Sequence, residues 1–124
     1  MDLAEAVMER IEQARQRVPE CSVHRVRQRQ LAGDPFWLVD VREDREWQEM
    51  RLPGSRHMGR GVLEWVLPGE IPDPDQDIIL YCGIGYRSLL AAESLQHLGY
   101  TRVSSMAGGI EEWLVAEYPI EVGQ

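Results

Sequence analysis

Ile78-Ile79-Leu80-Tyr81-Cys82-Gly83-Ile84-Gly85-Tyr86-Arg87-Ser88 opens as an apolar run and closes as a glycine-rich polar one. A short apolar run bounded by turn residues reads as a buried strand. A helical pattern resumes at Leu89, so the segment reads as strand, tight loop and helix. Cys82 then stands at the carboxyl end of the strand, where open α/β sheets bind ligands. Gly83 and Gly85 let the backbone curl until successive N–H groups point inward, making an anion-binding nest. The helix behind the loop adds the positive end of its dipole. A thiol held there is stabilised as the thiolate, the reactive form.

A lone cysteine ending an apolar strand is more often a small buried hydrophobe than a nucleophile. The glycine-rich loop, Arg87 and the helix start reverse that order and make Cys82 the candidate nucleophile. No other constellation competes with it. His24, His57 and His97 are scattered, and no His/Cys pair has zinc spacing, so no metal and no cofactor is expected. His57 can face the pocket from its strand end, but the sequence establishes no Cys/His pairing. Gly83-Ile84-Gly85 fails the dinucleotide pattern, because Ser88 stands where a third glycine belongs.

Working outward, Phe36 to Val41 reads as a strand apolar enough to be central in a parallel sheet. Its end brings Asp40 and Arg42 to the same sheet edge as Cys82, where buried charges need partners. Asp44 reads as the N-cap of a short helix, Arg45 to Met50. Leu52-Pro53-Gly54 turns into a strand, Ser55 to Met58. Val62 to Leu67 reads as a short helix, and Pro68 to Gln76 as a surface loop. Behind the glycine-rich loop, a helix from Arg87 to Leu98 is expected to bury Leu90, Ala91, Ser94, Leu95 and Leu98, with Gly99 closing it. Thr101 to Ser104 reads as the last strand. Gly108-Gly109 permits a close approach and a turn into a helix from Ile110 to Ala116.

At the other end, Leu3, Val7, Ile11, Ala14 and Val18 recur on one face of a helix over residues 2–17. Asp2 caps it and Pro19 ends it. A short strand, Cys21 to Val23, and a helical stretch to about Leu31 follow. The expected division is an N-terminal amphipathic helix, 1–19, and one α/β domain, 20–124. Strands alternating with helices give βαβ units around a parallel sheet.

Composition narrows the function. The 124 residues suffice for one domain, and a net charge of −8 argues against a nucleic-acid surface. All 13 basic residues are arginines. Without lysine the chain can form no Schiff base and has no P-loop amine. Arg10, Arg15, Arg17, Arg25, Arg27 and Arg29 crowd one window, best read as solvated helix faces. Two cysteines make no disulfide framework. There is no apolar signal core and no membrane-length run, so a reducing, cytoplasmic location with no membrane partner is expected.

Four pieces, in this order, resemble the single-domain rhodaneses. They are Leu38-Val39-Asp40-Val41-Arg42-Glu43, Leu52-Pro53-Gly54-Ser55, Cys82 to Ser88, and Gly108-Gly109 followed by Trp113. The resemblance runs from about Ser22 to Ile120. It departs at Arg51-Leu52-Pro53-Gly54, where the family usually places a His before Ile-Pro-Gly.

The resemblance implies a rhodanese-like α/β fold, with a sheet of about five parallel strands, helices on both faces and the N-terminal helix added. It implies a sulfurtransferase that carries sulfane sulfur as a Cys82 persulfide. The sulfur would pass from thiosulfate, polysulfide or a low-molecular-weight persulfide to cyanide, a thiol or a protein acceptor. Gly83, Ile84, Gly85, Tyr86, Arg87 and Ser88 would bind the sulfur or substrate anion, and Asp40 and Arg42 would support them. Arg87 either touches an anionic substrate or clamps the loop to Asp40 or Glu46; arginine's match to carboxylates favours the clamp.

Dual-specificity phosphatases of this fold have five residues between cysteine and arginine. Here four intervene, Gly83 to Tyr86. That favours sulfur transfer over a phosphatase or arsenate reductase, and leaves a non-enzymatic sulfur carrier or sensor as the main alternative. Good thiosulfate users in the family carry basic residues just after the cysteine. Gly83 and Ile84 are uncharged, and Tyr86 and Trp65 are expected to make the mouth partly apolar. The donor is therefore expected to be a polysulfide or persulfide rather than thiosulfate.

Overall fold

A computed structural model describes residues 2–123. In it Ile78–Tyr81 forms strand β5, buried at all four positions. β2 (Trp37–Asp40) and β6 (Val103–Met106) flank it, and both run parallel to it. β1 (Glu20–Cys21) and β4 (Ser55–His57) form the edges, giving a five-stranded parallel sheet in the order β1-β6-β5-β2-β4. Because helices cover both faces, β5 has no wet side, and its sequence is continuously apolar rather than alternating.

Six helices lie around the sheet among the described residues: α1 (Leu3–Arg17), α2 (Val23–Ala32), α3 (Asp44–Glu49), α4 (Leu63–Glu70), α5 (Tyr86–His97) and α6 (Gly109–Val115). Side chains alternate faces along each strand. Val39, Ile78, Leu80 and Val103 pack with residues of α1, α4 and α5. Leu38, Ile79, Tyr81 and Met106 pack with α2 and α6. Cys82 belongs to the first layer and Cys21 to the second. The two thiols thus lie on opposite faces of the sheet.

Several elements differ from the sequence reading. Only the second half of the α1 stripe is covered: Ile11, Ala14 and Val18 are buried against the core, while Leu3 is 85% exposed. The expected loop from Pro68 begins three residues late, because α4 continues to Glu70 with Pro68 inside it. Proline removes one interior hydrogen bond. Burial of Leu63, Leu67 and Ile71 at helical spacing outweighs that loss, and the Ile71 amide still donates to Leu67 O at 2.7 Å.

α5 starts at Tyr86 and buries Ser88, Leu89, Ala91, Ala92, Glu93 and Leu95; Leu98, expected inside, is half exposed. The last sheet strand lies two residues beyond the expected Thr101 to Ser104. A second, antiparallel pair, β3 (Met50–Arg51) with β7 (Glu121–Val122), had no counterpart in the sequence reading. Two residues are too few for a period to show.

Candidate active site

β5 ends at Tyr81, and the chain bends sharply through Cys82 to Gly85 before α5 begins. Gly85 adopts φ +99°, the left-handed region that glycine enters without steric cost. Its Cα also sits close to the next loop: a Cβ there would lie 3.1 Å from the Gly108 amide nitrogen. These two demands explain the glycine.

The curl turns backbone donors onto one atom. Cys82 Sγ accepts from the Gly85 amide at 3.2 Å and from the Ser88 amide at 3.4 Å. Ser88 Oγ lies 3.4 Å from the same sulfur. The amides of Ile84, Tyr86 and Arg87 find no acceptor among the described residues. Unpaired amides at a helix N-terminus are donors of the kind that suit an anion. Cys82 is fully buried, and Ile84 at the loop tip is half exposed.

The loop is held from two sides. From α6, the Ile110 amide donates to Cys82 O at 2.9 Å and the Glu111 amide to Gly83 O at 3.1 Å. From α3, Glu46 grips Arg87 with both oxygens, at 2.8 and 3.1 Å. Of the two clamp partners left open by the sequence, the structure places Glu46 against Arg87 and keeps Asp40 elsewhere. The Arg87 guanidinium lowers the Glu46 carboxyl to about 2 through that hydrogen-bonded pair.

Asp40 and Arg42 form their own buried pair. Arg42 Nε and Nη2 donate to the Asp40 carboxylate at 2.8 to 3.1 Å, and Nη2 also reaches Met50 O at 2.6 Å. The pair therefore ties the end of β2 to the chain leaving α3, the helix that carries Glu46. It lies over the Tyr81 ring, with the guanidinium carbon 5.8 Å from the centroid. Burial, together with the Asp40 charge, pushes the Tyr81 phenol up.

His57 does not reach the sulfur. Its Nε2 lies 2.8 Å from Arg42 O, and its ring stacks on Trp47 at 5.2 Å. Trp65 is 88% exposed on α4. A groove of about 440 Å³ adjoins Arg87, between α5 and the Arg60–Glu64 segment. One buried polar residue beneath the loop escaped the sequence reading altogether. Ser105 Oγ of β6 lies 2.7 Å from Ser88 Oγ. Nothing local marks it, because its significance comes from strand pairing.

A single cysteine is thus cupped by amides at a helix start, with an arginine clamped beside it. The rhodanese-like domain family matches residues 22–116. The chain belongs to that family. A protein of Allochromatium vinosum named sulfurtransferase is 31% identical over 103 residues, covering 83% of this chain and 94% of the relative. YrkF of Bacillus subtilis, named as a sulfur carrier protein, is 28% identical over 96 residues, 77% of this chain. This rhodanese-like chain spans only about half of that relative, 51%. Among solved structures, a Rhodopseudomonas palustris protein described as a tyrosine phosphatase candidate superposes with a TM-score of 0.83 at 28% identity, covering 93% of each chain. Among the described residues no helix is long and apolar enough to cross a membrane.

Proposed function

We propose that this rhodanese-like domain is a sulfurtransferase that carries sulfane sulfur as a Cys82 persulfide. The observation behind it is the sulfur itself, buried at the start of α5 and receiving the Gly85 and Ser88 amides. Such donors stabilise negative charge on the attacking sulfur, and the remaining loop amides do the same for a persulfide. In the loading step the Cys82 thiolate attacks the outer sulfur of a donor. The Cys82–sulfur bond forms, the donor's S–S bond breaks, and the donor remnant leaves with the electron pair. In the transfer step a nucleophilic acceptor, cyanide or a thiolate, attacks the outer sulfur, and Cys82 leaves as thiolate.

The clamp argues against the phosphatase reading. Glu46 accepts from both terminal nitrogens of Arg87, so the guanidinium's charge is already matched by a carboxylate rather than left for a phosphate dianion. It argues equally against thiosulfate as the favoured donor. With Arg87 engaged and Gly83 and Ile84 uncharged, a dianion meets only loop dipoles. A polysulfide or a low-molecular-weight persulfide suits the loop better. Asp40 and Arg42 act as supports, through Met50 and α3.

The test is mass spectrometry after donor loading. The wild type should gain one sulfur on the peptide containing Cys82 and lose it to cyanide or thiol over many cycles. Cys82→Ser should do neither, with its fold intact. Cys21→Ser should keep most activity. Transfer by Cys82→Ser near the wild-type rate would overturn the proposal; a single loading without turnover would favour the carrier reading.

A further inference from the structure

We infer that Ser105 is a positioning residue for Cys82, acting through Ser88 as the base of a buried two-hydroxyl relay to the sulfur. The inference rests on Cys82 being the reactive thiol.

Ser105 pairs in register with Leu80, so its side chain joins Leu80 and Cys82 on the face under α5. That face is apolar, with Val39, Ile78, Leu89 and Leu95 around it. Ser88 and Ser105 are nonetheless both fully buried there. A hydroxyl buried without a partner is costly, so two hydroxyls in this layer need a reason. They satisfy each other at 2.7 Å, and the outer one reaches Cys82 Sγ at 3.4 Å.

The direction of the chain follows the state of the sulfur. A thiolate can only accept. With the thiolate present, the Ser88 hydroxyl donates to Sγ and the Ser105 hydroxyl donates to Ser88. Each bond polarises the next, so the second hydroxyl strengthens the first. No proton is transferred along the chain; two hydroxyls rotate. Once the persulfide forms, the charge moves to the outer sulfur, where the loop amides can donate to it. When an acceptor takes that outer sulfur, charge returns to Sγ as the bond breaks, and the relay is already aimed at it. Ser105 thus assists the departure of Cys82 as well as the attacking thiolate.

The charged groups near the sulfur are otherwise occupied. Arg87 holds Glu46 of α3, and Arg42 holds Asp40 at the end of β2. Glu111 and Glu112 stand in the first turn of α6. Glu93, farther along α5, is held by Arg10 and Arg17 of α1. From α4 come Leu63 and Leu67. Among the described residues, none of these charges hydrogen-bonds to Ser88 or Ser105.

The test is the pH–rate profile of Cys82 alkylation by iodoacetamide, in a Cys21→Ser background so that one thiol reports. Ser105→Ala should slow alkylation at neutral pH by roughly fivefold to tenfold, about the net weight of one hydrogen bond between neutral groups, since Ser105 meets the sulfur only through Ser88. The profile should move to the alkaline side, and the rates should converge in strongly alkaline buffer. Ser105→Thr, which keeps the hydroxyl, should restore most of the rate. Ser104→Ala, beside it on the other face, should behave as wild type. In a Ser88→Ala background, Ser105→Ala should add nothing, since its route to the sulfur is gone.

An unchanged profile in Ser105→Ala would overturn the relay. So would an equal loss at every pH, or a full additional effect without Ser88. Alkylation needs no sulfur donor, so these outcomes stand apart from whether Cys82 carries persulfide.

Discussion

Gly109→Ala should break the support under the loop, at a cost that can be worked out. Gly109 adopts φ +60°, and a Cβ there would strike the carbonyl oxygens of Gly83 and Cys82, the latter at 2.5 Å. The left-handed backbone alone costs an alanine about 1–2 kcal/mol. The collision is with backbone, which cannot swing aside as a side chain would. α6 must move off the loop, and the bonds from Ile110 and Glu111 to Cys82 O and Gly83 O go with it. Two such bonds contribute about 0.5–1.5 kcal/mol each. The sum is about 3 kcal/mol, a large part of the roughly 5–15 kcal/mol that holds a domain folded. Gly54→Ala is the control. Gly54 also has positive φ, +75°, but nothing lies within 4 Å of its Cβ position, so only the backbone cost applies. In urea, with a slope of about 1.5 kcal/mol per molar, the midpoint should fall by about 2 M for Gly109→Ala and by about 1 M or less for Gly54→Ala. Sulfur transfer should fall only in the first. Equal midpoint shifts in the two variants would refute the idea that α6 is seated on the loop.

Asp40→Asn leaves Arg42 buried without its counter-charge and should destabilise the domain by about 3–5 kcal/mol, read by the same urea titration. Glu93→Leu should be neutral or stabilising by about 1 kcal/mol. Its carboxylate is buried with Oε2 lacking a hydrogen bond, while its partners Arg10 and Arg17 are more than half exposed and return to water freely. Glu46 is depressed from 4.5 to about 2, so its contribution to stability is complete above about pH 4.5 and disappears as pH falls through about 2. Acid titration of wild type against Glu46→Gln should show the difference between them vanish over that window. Ile84→Arg should improve kcat/KM for thiosulfate by on the order of tenfold, one added contact of about 1.4 kcal/mol, and less at high salt. An unchanged thiosulfate constant in steady-state kinetics would show that loop charge does not set the donor.

The strand, loop and helix around Cys82 were legible because each leaves a local mark. A continuous apolar run records burial on both faces, and closely spaced glycines record a backbone that must curl. The four-residue gap between Cys82 and Arg87 is likewise a fact of the chain itself. The sheet class followed from strands alternating with helices, since parallel neighbours need crossovers. By itself, then, the sequence determined the fold class and which atom to watch. It could not choose between Asp40 and Glu46 for Arg87, because that depends on where α3 comes to rest, 41 positions away in sequence. Nor could it show Ser105 beneath Ser88, which requires β6 to pair with β5 in one register. The pairing of β1 with β6 likewise puts Cys21 on the face opposite Cys82, and a two-residue pairing such as β3 with β7 carries no period at all. Burial, partner and register are properties of neighbours brought together by the whole chain, and only the tertiary structure decides who those neighbours are.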